Sequence, residues 1–134
     1  MSPQGSTPRA FTVIACQATR CQPAVEVPVM ATLVAAIRRC PYGVLVSSGC
    51  LLGLISCRTW HDSQREPPGT VVVVQPCSRM DRRADGPATA VGPLRTQQDL
   101  ITLCRWLQAG RLDYAALPAR LRTVPASLRC AGLN

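Results

Sequence analysis

The sequence predicts an α/β domain built on a small mixed sheet, and two observations carry that reading. One is "TVVVVQPC" at residues 70–77, four valines in succession, a pattern of burial on both faces as in the middle of a sheet. The other is the order of the apolar segments, which runs strand, helix, strand, long loop, strand, strand, helix.

Taken along the chain, "MSPQGSTPRA" (residues 1–10) is rich in Pro, Gly and Ser and is expected to be a disordered N-terminal segment. One domain is expected over residues 11–122, followed by a tail at 123–134. "FTVIAC" reads as a short buried strand ending at Cys16, and the polar loop after it carries Cys21. Val29, Met30, Leu33, Val34 and Ile37 recur at helical spacing between Pro28 and Arg39, with Pro28 acceptable in the first turn. "YGVLVSS" is a second strand, and Gly49 opens the loop that holds Cys50 and Cys57. Phe11–Ala15, Tyr42–Val46 and Val71–Gln75 are the expected central strands. "SRMDRRADG" is a charged loop with an Asp-Gly turn, and "PATAVGPL", bracketed by prolines, suits an edge strand. "TQQD" at Thr96–Asp99 resembles a capping box for the closing helix. Its inner stripe is Leu100, Leu103, Cys104 and Leu107, and Gly110 is its stop. A short helical turn is expected in "LDYAALPARLR". The first elements make a βαβ unit and the last two strands a hairpin.

The totals narrow the function classes. A chain of 134 residues buries enough surface to fold as one domain without disulfide staples. Its 15 basic groups, every one an arginine, outnumber 7 acidic groups and leave a net charge of +8. The arginines are scattered and accompany no recognised nucleic-acid motif, so specific nucleic-acid binding is not expected and an acidic protein face is. "MSPQGSTPRAFTVIAC" lacks an apolar stretch long enough for a secretory signal. The uncharged run from Cys40 to Cys57 approaches the length of a membrane span. Its Pro41, Gly43, Gly49 and Gly53 suit a strand and turn better. A cytoplasmic protein with no membrane span is expected, and there eight cysteines call for a role other than disulfides.

Cys16 and Cys50 each stand just past an expected strand end, where open α/β sheets place ligands. Cys21 follows Cys16 by five positions and Cys57 follows Cys50 by seven, so two thiol pairs are expected at one sheet edge. Cys77, at the end of the valine strand, is expected to face the same site, and Cys40 to end the first helix. Cys104 reads as core and Cys130 as incidental. Four thiolates suit an iron–sulfur cluster or a structural zinc. Zinc ranks second, because C-x4-C fits a zinc knuckle whereas C-x6-C is too open.

From Phe11 to about Leu121 the chain resembles the thioredoxin-like [2Fe-2S] ferredoxins, a domain found also in a subunit of NADH dehydrogenases and related hydrogenases. "ACQATRC" occupies the region of the family's first two cysteines and "SGCLLGLISC" that of its Gly-Cys-Leu-Gly-x-Cys turn. "TVVVVQP" and "DLITLCRWLQAG" match its later strand and helix. The first pair lies closer together than in the family and the second further apart. The resemblance implies a thioredoxin-like βαββα fold with Cys16, Cys21, Cys50 and Cys57 as ligands of a [2Fe-2S] cluster, and Cys77 or Cys40 as the alternate fourth ligand. It further implies an electron-transfer protein or subunit, not an enzyme in itself, that serves a larger oxidoreductase through an acidic face of that partner. A homodimer is compatible with this. Gly49 and Gly53 would bring amides near the cluster sulfurs, Leu51, Leu52, Leu54 and Ile55 would shield it, and Arg58 and His61 would sit at its rim. The alternatives are a cluster-free adaptor or assembly subunit and a structural zinc protein.

Other chemistries lack support. His61 is the sole histidine, in no recognised catalytic motif, and reads as a surface residue or one flanking the ligands. GxGxxG, P-loop, HExxH and C-x-x-C motifs are missing. Trp60 and Trp106 read as packing residues.

Overall fold

The computed structural model describes residues 9–16, 28–48 and 69–122. The expected disordered segment (up to residue 8), the Cys21 loop, the Cys50–Cys57 loop with Trp60 and His61, and the tail with Cys130 lie outside the described residues.

Strand β1 (Ala10–Cys16), helix α1 (Val29–Ile37), strands β2 (Gly43–Ser48), β3 (Thr70–Cys77) and β4 (Thr89–Leu94), and helix α2 (Gln97–Ala109) follow in that order. Two short 3-10 turns, Tyr114–Ala116 and Ala119–Leu121, close the described chain. Among the described residues the result is an α/β fold with a mixed four-stranded sheet, one strand more than the βαββα shorthand, and two helices. The sheet order is β2-β1-β3-β4. β2 runs parallel to β1, β3 antiparallel to β1, and β4 antiparallel to β3. The βαβ unit and the β3–β4 hairpin are therefore both present.

This order corrects one expectation. Tyr42–Val46 is not a central strand, because β2 occupies an edge of the sheet beside β1. Its apolar, uncharged sequence suggested an interior place, yet Val44 and Val46 remain 42% and 44% exposed. β3 is interior as its valines require, with Val71 to Val74 all buried. β4 takes the opposite edge, as its prolines suggest.

Strand alternation explains the layers. Phe11, Val13 and Ala15 of β1, Val72 and Val74 of β3, and Val91 of β4 form one continuous core with both helices. α1 contributes Val29, Leu33, Ala36 and Ile37, spaced by four, three and one along its inner stripe. α2 contributes Leu100, Leu103, Cys104, Trp106 and Leu107. Trp106 packs in this core while its ring nitrogen donates to the Asp113 carbonyl at 2.8 Å, so it needs no functional role.

The two ends of α2 follow the sequence signals. Thr96 Oγ1 accepts from the Asp99 amide and the Asp99 carboxylate accepts from the Thr96 amide, a complete capping box. Gly110 stops the helix in the left-handed region at φ 78°, which a side chain would resist. α1 is weaker at its start: Pro28 sits at the N-cap position with no side-chain cap.

Candidate functional site

Parallel pairing brings the carboxyl ends of β1 and β2 together. Cys16, the last residue of β1, is the register partner of Ser48, the last residue of β2. The chain thus leaves both strands at the same edge, where ligands of open α/β sheets sit. Cys16 is 1% exposed and lies on the face away from the helices, in alternation with Phe11, Val13 and Ala15. Cys50 comes two residues after Ser48 in the sequence, and Cys21, Cys50 and Cys57 all lie outside the described residues.

The two alternate ligands are at the other end of the sheet. β3 runs antiparallel to β1, so its end pairs with the start of β1: Cys77 opposes Ala10. Six residue steps along β1 lead from Ala10 to Cys16, about 20 Å at the usual rise per residue. Cys40 precedes Gly43, which opposes Phe11, and is placed at that same far end. A thiolate sulfur binds its metal at about 2.3 Å, so neither Cys77 nor Cys40 joins Cys16 around one cluster. The expectation that Cys77 faces the Cys16 site fails because strand direction, not strand order, decides which end a terminal residue occupies.

The other described cysteines, Cys40, Cys77 and Cys104, are buried as well. Cys40 is buried behind α1 and its thiol donates to the Ala36 carbonyl at 3.4 Å. Burial pushes its pKa up. Cys104 is held neutral for the same reason, burial first and then the nearby Cys40. Two neutral thiols in the helix-facing core are packing groups. Cys77 Sγ lies 3.2 Å from the Gln75 carbonyl and 3.5 Å from Thr12 Oγ1. Among the described residues no group of three or more His, Cys, Asp or Glu side chains is arranged to hold a metal. Nor is any described helix long and apolar enough to cross a membrane.

The end that holds Cys77 carries an arginine cluster that was not legible in the sequence. Arg82 adopts the left-handed region at φ 60°, and its guanidinium reaches back across the sheet end. It donates to the carbonyls of Tyr42 at 3.0 Å and Phe11 at 2.8 Å. Arg79 stacks on the Tyr42 ring, 4.5 Å from its centre. Arg9 donates to the Asp85 carbonyl at 2.9 Å. "SRMDRRADG" reads only as a solvated charged loop; the clue available in it was three arginines in five residues next to a strand end.

Comparison with protein-family models, with curated proteins and with solved structures finds no match to this chain.

Proposed function

We propose that the chain is a thioredoxin-like α/β carrier that holds a [2Fe-2S] cluster at the carboxyl ends of β1 and β2 and passes electrons to or from a larger oxidoreductase. The observation that supports this most is the pairing of Cys16 with Ser48, which starts both cysteine-bearing segments from one edge of the sheet. In this reading the ligands are Cys16, Cys21, Cys50 and Cys57, a choice supported by the placement of Cys77 and Cys40 at the end of the sheet away from Cys16. The cluster would supply one-electron redox chemistry. The chain's own part is to give up the four thiol protons on binding, to fix Cys16 on a buried strand, and to present a positive surface to an acidic partner face. Such a complex weakens as salt rises.

The test is metal analysis of protein purified without oxygen. Cys50→Ser and Cys57→Ser should each lose iron and the red-brown colour, whereas Cys104→Ser should keep both. Zinc in place of iron would favour a structural zinc protein. A colourless, metal-free protein would favour a second reading, a cluster-free adaptor. That reading is supported by the exposed Val44 and Val46 beside the half-buried Ile14 on one face of the sheet, an apolar strip suited to lending surface.

A further inference from the structure

At the end of the sheet opposite Cys16, a pocket of about 600 Å³ opens between the start of β1, Tyr42 and the loop after β3. Its size is that of a small-molecule site. Arg9, Tyr42, Cys77, Arg79, Met80 and Asp85 line it, with Ala10 and Ser78.

Its chemistry is lopsided. Arg9 and Arg79 are both in the lining, and Arg82, outside it, reaches the carbonyls of the lining residue Tyr42 and of Phe11. Asp85 is the one carboxylate in the lining, and it contributes its backbone carbonyl to Arg9. Nearby Asp81 is engaged by Arg83 at 3.6 Å. Among the described residues none of Arg9, Arg79 and Arg82 forms an ion pair. Guanidinium groups that outnumber the carboxylates around them suit oxyanions, which accept paired N–H bonds from the planar fork.

The groups are also held in place. Arg79 is stacked on Tyr42, Arg9 is tethered to the Asp85 carbonyl, and the Arg82 clamp ties the loop to the starts of β1 and β2. Beside the arginines stand two apolar surfaces, the Tyr42 ring and Met80, the latter 94% exposed and packed against little. We propose that this pocket binds a small organic anion, its carboxylate or phosphate oxygens held between Arg9 and Arg79 and its apolar body against Tyr42 and Met80. The site is independent of the cluster reading, because about 20 Å of strand separates it from Cys16.

The test is an NMR titration of the full chain with phenyl phosphate and with benzoate, with inorganic phosphate as the bare head group. Saturable shifts centred on Tyr42, Cys77 and Arg79 are expected. Phenyl phosphate should bind more tightly than inorganic phosphate, and the stronger of the two aromatic probes identifies the head group. Arg79→Gln and Arg9→Gln should each weaken binding about tenfold, the loss of a charge-assisted hydrogen bond. Arg105→Gln, on the exposed side of α2, removes the same charge and should leave the affinity within about twofold. An amide spectrum of each variant before titration reports whether it is folded. Equal weakening by all three substitutions, or shifts that never saturate, would show diffuse attraction to a basic protein and overturn the site.

Discussion

Replacement of Asp99 by alanine should be among the most damaging single changes at a polar position of this protein. The residue is 6% exposed and its carboxylate accepts three hydrogen bonds: from the Arg95 amide at 3.0 Å, the Thr96 amide at 3.3 Å and Arg120 Nε at 2.7 Å. Alanine leaves two backbone N–H groups without their acceptor, about 1 kcal/mol each. The Arg120 pair adds little more, about 0.5 kcal/mol, because the arginine side chain is 49% exposed and water replaces part of the contact. The sum is about 2.5 kcal/mol, which for a chain of this length lowers Tm by roughly 9 °C. Asp99→Asn keeps an acceptor oxygen for the amides and should lose about 1 kcal/mol. Burial alone would raise the Asp99 pKa, but the hydrogen bond from Arg120, the Arg95 amide, the Arg120 charge and the Thr96 amide together hold it below the ordinary carboxylate value. Its stabilisation is therefore complete above the unfolded pKa of about 3.9 and is lost as pH falls through the lower folded value. Urea unfolding at pH 7 and between pH 5 and 2 measures both effects. The reasoning is refuted if Asp99→Ala unfolds at the wild-type urea midpoint, or if Asp99→Asn leaves the acid limb of the stability profile unchanged.

Cys104→Ser puts a hydroxyl into the helix-facing core and should cost about 1–2 kcal/mol in urea unfolding while leaving any bound metal in place. In the native protein the buried Cys40 and Cys104 should react with iodoacetamide at pH 8 far more slowly than in urea, since burial raises both pKa values; equal rates would contradict the packing assignment. Arg82→Ala removes the two carbonyl contacts at the sheet end and should lower stability by about 1 kcal/mol, read from the same unfolding curves.

Local rules made much of the fold legible. The capping box at Thr96, the stop at Gly110 and the double-sided burial of Val71–Val74 each depend on a few neighbouring residues, and each occurs as read. The place of β2 depends on something a local pattern does not hold. "GVLVSS" has the composition of an interior strand, but β1 has only two sides, and β3 takes the second one. β4 shows the reverse case. Its edge position was legible from proline, while the reason for glycine at position 92 was not. A Cβ there would come within 2.8 Å of the Thr70 carbonyl oxygen, in a backbone at φ 141°. The same limit applies to the cysteines. Their positions after strands were legible, but only the antiparallel direction of β3 separates Cys77 from Cys16. The Arg82 clamp joins residues 71 positions apart in sequence and depends on one left-handed residue, so no spacing rule announces it.

The claim that the edge shared by β1 and β2 holds a cluster meets its most direct test in the iron content of anaerobically purified wild-type protein and of the Cys16→Ser/Cys50→Ser double variant. About two irons per wild-type chain, with visible absorption, and none in a double variant that remains folded are expected. Full iron in the double variant, or a colourless wild-type protein, would contradict the claim.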